Sequence, residues 1–263
     1  MTPETVVYSE PVGGGRLELD LWLPTGNGPW ATIIYLHGGG WRRGSRRDVL
    51  PVFSESPLYP RLVGEGFAVA AVDYRLSGEA RYPAPLDDVR AAVQWVREHD
   101  ALDADRIVLW GESAGAHLAL LAALDGGDVA GVVAWFPPTD LLGLPADLVA
   151  AGGEADLSPD SREAQLLGVP AQDDPELARA ASPVTFAHRG APPVLLLHGS
   201  ADDLVPPAQS IRLAEALRGA GGQVELELVE GAKHLWVGAP DPAALVDRSL
   251  AFVRTLVSCE PSR

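Results

Sequence analysis

Cysteine is nearly absent from this chain of 263 residues; the single one, Cys259, stands near the C-terminus. A disulfide within the chain is thereby excluded, and so is a metal site built on cysteine; no metal and no cofactor are expected. No apolar run approaches the ~18 residues of a membrane span. The first ten residues lack the basic start and apolar stretch of a signal peptide, so the expected address is the cytoplasm. Positive charge is also scarce: 20 Lys and Arg stand against 36 Asp and Glu, a net charge of −16. Nucleic acid and anionic membrane surfaces both need clustered positive charge, so neither is an expected partner. Internal repeats, heptads and low-complexity tracts are missing. Apolar residues, by contrast, make up 47% of the chain, ample for the buried core of one large α/β domain.

Residues 17–23 alternate leucine with Glu18, Asp20 and Trp22, the period-two pattern of a half-exposed strand, with residues 5–8 a plausible antiparallel partner. Residues 31–36, 67–72, 107–110, 129–136 and 193–197 are continuous apolar runs, as expected of strands covered on both faces. Residues 224–228 alternate again and read as a last strand. Between the strands lie helical patterns at 86–99, 116–124, 207–218 and 242–257, the last opened by Asp241-Pro242 as N-cap and first helical position. Strands alternating with helices after an antiparallel start predict a mainly parallel sheet with helices on both faces. In such sheets, sites lie at the carboxyl ends of strands. The pattern weakens from Thr139 to about Arg189, where Gly, Pro and acids are frequent. Two or three short helices are expected there, as an excursion above the sheet within a single domain spanning 1–263.

The chemistry centres on Gly111-Glu112-Ser113-Ala114-Gly115, which reads G-x-S-x-G between a strand and a helix. That is the context of a nucleophile elbow: a strained turn that lifts the serine hydroxyl above the sheet. A serine hydroxyl is a poor nucleophile at neutral pH and needs a base. Of the six histidines, His234 follows the last strand on a loop that can reach the top of the sheet, and it is the candidate. His117 lies one helical turn after Ser113 and points into packing, His37 and His198 brace loops, and His99 and His188 belong to the surface. The base needs an acid to fix its tautomer. Asp202 and Asp203 follow the penultimate strand, and Asp202, the first, is chosen. His37-Gly38-Gly39-Gly40 supplies the third requirement, backbone N–H groups facing a carbonyl oxygen: Gly39, Gly40 and, from the elbow, Ala114. No Lys-Ser or Lys-Thr follows the glycines, so a phosphate cradle is disfavoured. Glu112 is read as bracing the elbow, Asp73 as holding Arg75 or a loop amide, and Asp87 and Asp88 as helix-start residues. Arg42, Arg43, Arg46 and Arg47 form either a solvated face or a clamp for an acidic substrate group. Trp41, Trp135, Phe136 and Trp236 fall near the site and are candidates to line an acyl or aromatic pocket, with core packing the competing reading.

Taken together, these pieces resemble the esterase/lipase branch of the α/β-hydrolases that carries the motif H-G-G-G-W. That branch includes hormone-sensitive-lipase-like esterases and compact acetylxylan- and feruloyl-esterase-like enzymes. The resemblance rests on residues 37–41, Asp73-Tyr74-Arg75-Leu76, Tyr82-Pro83-Ala84, Asp87-Asp88-Val89, residues 111–115, His198-Gly199 with Asp202 and Val205-Pro206, and Gly231 with His234. The order Ser113, Asp202, His234 is the order of that superfamily. The resemblance implies an eight-stranded α/β-hydrolase fold. It also implies a serine carboxylesterase working through an acyl-enzyme, with the first aspartate of the penultimate-strand loop as triad acid; the short excursion from Thr139 points to a modest, open pocket and so to small short-chain or acetyl esters. Two other functions fit the same residues. An aryl formamidase similar to kynurenine formamidase would use the same machinery, and a non-catalytic ligand-binding protein would use the fold alone.

Overall fold

The computed structural model describes residues 2–258; Cys259 lies outside them. The chain opens with β1 (Glu4–Ser9), β2 (Leu17–Trp22) and β3 (Trp30–Leu36). Next come α1 (Leu58–Gly64), β4 (Ala68–Val72), α2 (Ala84–Glu98), β5 (Leu102–Glu112), α3 (Ala114–Leu124) and β6 (Gly131–Trp135). Three short helices follow, α4 (Leu144–Ala150), α5 (Arg162–Leu167) and α6 (Pro175–Ala180). The chain closes with β7 (Val194–Gly199), α7 (Ala208–Gly219), β8 (Val224–Val229) and α8 (Pro242–Val257). The strands form one sheet in the order β1-β2-β4-β3-β5-β6-β7-β8. β2 runs against both of its neighbours, and every other pairing is parallel.

Side chains alternate across the central strands, and the two faces fill separately. Ile34 and Leu36 face α2, α3 and α7, whereas Ile33 and Tyr35 face α1 and α8. This is why the central strands carry unbroken apolar runs: each face of the sheet is a core of its own. Every residue of α3 is buried, and it is correspondingly apolar all round. Two of the three short helices of the excursion, α5 and α6, start on side-chain caps. Ser161 accepts from the Ala164 N–H at 3.2 Å, and Asp174 accepts from the Leu177 N–H at 3.0 Å.

Two features depart from the sequence expectations. α1 was not anticipated; it has seven residues and carries a proline, Pro60, too little chain for a period to show. The polar side of β2 is not solvated either. Asp20 is buried and accepts hydrogen bonds from Arg46 Nε and Arg47 Nε, both at 2.9 Å, so a period-two polar residue marks an internal ion-pair cluster.

The strand order places the site. β3 lies between β4 and β5, so the connection from β4 to β5 passes over it. At such a reversal the carboxyl ends of two neighbouring strands open away from each other and leave a crevice. Leu36, the last residue of β3, pairs with Gly111, so the glycine-rich loop and the serine turn emerge side by side. They also touch. A side-chain carbon on Gly115 would run into the carbonyl oxygens of Leu36 and His37. Gly115→Ala is therefore expected to destabilise the protein by about 3 kcal/mol or more, or to prevent folding, because neither neighbour is a flexible side chain. Gly219→Ala, at the end of α7 with open space around it, should be neutral or slightly stabilising. Thermal unfolding of the two variants checks the contrast.

Candidate active site

Ser113 sits between β5 and α3 with φ 50° and ψ −118°, a conformation that non-glycine residues rarely adopt. Its N–H donates to the Trp135 carbonyl at 2.9 Å, and its own carbonyl accepts from the His117 N–H at 3.0 Å. The turn is thus tied to the next strand and to the first turn of α3. Its hydroxyl donates to Nε2 of His234 at 3.0 Å.

His234 comes from the loop after β8. The two residues behind it, Leu235 and Trp236, both have positive φ, 60° and 62°. Nδ1–H of His234 donates to Oδ2 of Asp202 at 2.7 Å. The other oxygen of Asp202 accepts the N–H groups of Leu204 at 3.0 Å and Val205 at 2.9 Å. Burial alone would raise this carboxyl; hydrogen bonds from His198 and His234 outweigh it and hold the group well below the usual carboxylate range. Asp203 is exposed and pairs with Lys233 instead. His198 braces its loop as expected, Nε2–H donating to the Val205 carbonyl at 2.7 Å, and it also stands 3.4 Å from Asp202.

The glycine-rich loop is held at several points. His37 Nδ1–H donates to the Gly38 carbonyl at 2.7 Å, and its ring stacks on Tyr74 at 4.4 Å. The Tyr74 hydroxyl donates to the His37 carbonyl at 2.8 Å. Gly39 and Gly40 adopt positive φ, 116° and 62°. Among the described residues, no protein acceptor takes the N–H of Gly39, Gly40 or Ala114. Trp41 anchors the far end of the loop. Its indole N–H donates to Nδ1 of His117 at 3.2 Å, and His117 Nε2–H donates to the Ala181 carbonyl at 2.7 Å. Burial drives His117 down to about 4, so the ring is neutral and its two bonds fix one tautomer.

The aromatic residues expected to line a pocket do something else. Trp135, Phe136 and Trp236 are fully buried and pack on one another, Trp135 on Trp236 at 5.7 Å and Phe136 on Trp236 at 4.9 Å. They close the core on the α1 and α8 face. Phe136 reaches the site only by its edge, 4.6 Å from the His234 ring, where it supports the imidazole from behind. Trp41 is also buried and touches only a narrow crevice beside Ser113. The open cleft has a volume of ≈ 250 Å³. Val49, Leu50, Pro51, Leu204 and Leu235 give it an apolar side, and Arg42, Arg43 and Arg162 a cationic one. None of the apolar five was anticipated from sequence, because they come from loops without periodicity. Asp73 accepts the N–H of Arg46 at 2.6 Å, not a bond from Arg75, which forks onto the buried Asp88.

This arrangement has relatives. The BD-FAE family model matches residues 19–217. The chain belongs to the BD-FAE family. Esterase LipQ of Mycobacterium tuberculosis is 35% identical over 222 residues, which cover 80% of this chain and 51% of LipQ. Carboxylesterase NlhH of the same organism is 31% identical over 250 residues, covering 89% of this chain and 76% of NlhH. The chain thus spans about half the length of LipQ. Among solved structures, the propionate-bound Est2 esterase of Thermogutta terrifontis superposes with a TM-score of 0.78 at 26% identity, covering 100% of this chain and 97% of that one. The fold is that of the α/β-hydrolases of the esterase branch. No helix among the described residues is long and apolar enough to cross a membrane.

In this family member, Glu112 carries a buried carboxyl next to the serine. Oε1 accepts the Gly38 N–H at 3.1 Å, and Oε2 has no partner among the described residues. Burial, offset in part by the Gly38 N–H and assisted by Asp48, pushes this group up to about 8. The side chain therefore braces the loop as a neutral acid. In the unfolded chain it ionises near its ordinary value of 4.5. Between 4.5 and 8 the folded state holds a proton that the unfolded state has released, so stability falls as pH rises through this window. Glu112→Gln keeps the acceptor and removes the titration. Its melting temperature relative to wild type should climb from pH 5 to pH 8 and level off above about 8. A difference independent of pH would contradict the buried neutral acid.

Proposed function

We propose that this protein hydrolyses short-chain carboxylic esters by way of an acyl-enzyme on Ser113. The observation that carries this reading is the continuous chain of contacts from the Ser113 hydroxyl to His234 at 3.0 Å and on to Asp202 at 2.7 Å. Ser113 Oγ attacks the ester carbonyl while Nε2 of His234 takes the hydroxyl proton. The carbonyl oxygen becomes an oxyanion and meets the N–H groups of Gly39, Gly40 and Ala114, each worth about 3 kcal/mol at the transition state. The imidazolium then gives its proton to the departing alcohol oxygen, and the carbon–oxygen bond breaks. Water repeats the sequence on the acyl-enzyme, with the same nitrogen as base, and releases the acid. Asp202, ionised and aligned on Nδ1, keeps the imidazole in the receptive tautomer and stabilises its charged form.

The esterase names of LipQ and NlhH support the reaction class, and the cleft of ≈ 250 Å³ supports a small acyl group. The chain is read as one domain in which residues 139–189 contribute a wall of the cleft through Arg162. An aryl formamide would be suited by tryptophans facing the substrate. With Trp135 and Trp236 in the core, no observation favours it.

Ser113→Ala and His234→Ala should each lower kcat/KM on p-nitrophenyl acetate by at least ~10³-fold, and Asp202→Asn by a comparable factor through the wrong tautomer. Asp203→Asn should stay close to wild type. Rates along a series of p-nitrophenyl esters should fall once the acyl chain outgrows butanoyl. Equal rates for wild type and Ser113→Ala would end this reading.

A further inference from the structure

Four arginines follow the glycine-rich loop, and the fold sorts them into two pairs. Arg46 is buried among Glu18, Asp20 and Asp73, and Arg47 pairs with Asp20. Arg42 and Arg43 turn the other way. Both are exposed and line the cleft that holds Ser113 and His234. A third arginine, Arg162, joins them there from the first residue of α5. Among the described residues, none of these three guanidinium groups enters an ion pair or a side-chain hydrogen bond.

Their stems are placed by packing. A side-chain carbon on Gly40 would stand 2.8 Å from Cδ of Arg162, and one on Gly39 would stand 3.2 Å from Cγ of Arg43. Two of the three arginines thus lie along the same glycines that offer the free N–H groups. Acids stand on both sides of them. Asp48 is the exposed acid of the cleft wall, and Glu112 is buried and neutral. On its outer side Arg162 shares a second pocket with Glu154, Asp156, Glu163 and Asp203; Asp156 and Glu163 are close enough to interact with it by charge, Asp203 pairs with Lys233, and none of the four forms an ion pair with Arg162. Three uncommitted cations at one cleft in a chain of net charge −16 run against the average of the surface. A cation without a protein partner, fixed beside a reacting centre, is suited to hold an anion of the substrate. The planar fork of arginine matches a carboxylate in particular.

We propose that the cleft selects esters that carry a carboxylate, held by Arg42, Arg43 and Arg162 beside the scissile carbonyl. The proposal rests on the esterase reading and adds the substrate class to it.

Two matched ester pairs test it. In 4-acetoxybenzoate against 4-acetoxybenzamide the charge sits on the leaving group. In monomethyl adipate against methyl hexanoate it sits on the acyl group. Each rate is divided by that ester's rate in alkali. At low salt, wild type should favour the anionic member of at least one pair by about tenfold in kcat/KM, expressed in KM, and the preference should shrink as ionic strength rises from ~0.02 M to ~0.5 M. The pair that responds tells which side of the ester the arginines face. Arg42→Gln, Arg43→Gln and Arg162→Gln should each cut the anionic-to-neutral ratio by roughly fivefold, and the Lys variants should restore part of it. A ratio near one in wild type overturns the proposal and leaves the esterase reading standing. So do Gln variants that slow both members alike, the result expected of arginines that merely support the loop or the oxyanion. If wild type hydrolyses none of the four esters faster than Ser113→Ala, the esterase reading fails, and calorimetry of adipate and benzoate with Ser113→Ala decides the site by itself. Saturable binding lost on adding Arg162→Gln supports an anion site; no binding overturns it.

Discussion

The backbone of Ser113 is held where an L-residue does not rest, and the neighbouring structure is arranged to keep it there. A positive φ at a non-glycine residue costs on the order of 1–3 kcal/mol and persists only when its surroundings over-determine it. Here the surroundings are β5, which ends at Glu112, the Trp135 carbonyl that takes the Ser113 N–H, and α3, which is buried along its whole length. Burying all eleven residues of α3 is a large apolar gain, and it is available only if the helix starts close against β3. Gly115 permits that approach. The strain at one residue is thus offset by a helix that could not dock otherwise.

His234 is delivered by a second strained turn. Leu235 and Trp236 hold positive φ directly after His234, and the buried indole of Trp236 pins that turn to Trp135 and Phe136. Trp135 serves both turns, since its carbonyl fixes the serine backbone and its ring supports the histidine loop. The placing of Ser113 against His234 therefore depends on one residue at the end of β6. This is the economy of a site on rigid elements: few contacts, each shared, leave little freedom to lose when substrate arrives.

Much of this was legible in the chain because it is local. A strand that ends in G-x-S-x-G, a helix of small residues behind it, and a histidine after the last strand are short-range patterns with a mechanical reason. The sheet and the candidate triad could be written down from them. The aromatic residues could not be placed that way. Trp135 lies at a strand end and Trp236 in a loop, and proximity to the site in sequence says nothing about which face of the sheet the ring enters. The pleat sends Trp135 to the α8 side, where Ser249 accepts its indole N–H at 3.1 Å. Arg162 was equally hidden, because it reaches the cleft from a segment with no period and no motif. Asp20 falls on the polar side of a half-exposed strand pattern and Asp88 reads as a helix-start residue, whereas both are buried against arginines that lie elsewhere in the chain. Long-range pairing of charge has no local signature.

The sorting of the arginines follows from the same loop that carries the free N–H groups. Gly44 takes φ 104°, and a side-chain carbon there would press on the His37 ring and on the Gly38 carbonyl. The chain can fold back tightly over His37 only because that carbon is missing. Arg42 and Arg43 come before this reversal and Arg46 and Arg47 after it, so the two pairs leave in different directions. One pair meets the acids of β2 and the Asp73 loop and is neutralised there. The other remains at the cleft with its charge unspent. The packing of His37 on Tyr74 and the charge at the cleft mouth are in this way consequences of a single turn. A change that relaxed the turn would disturb the amide geometry and the cation cluster together, so the proposed substrate selection and the proposed oxyanion loop stand on the same turn.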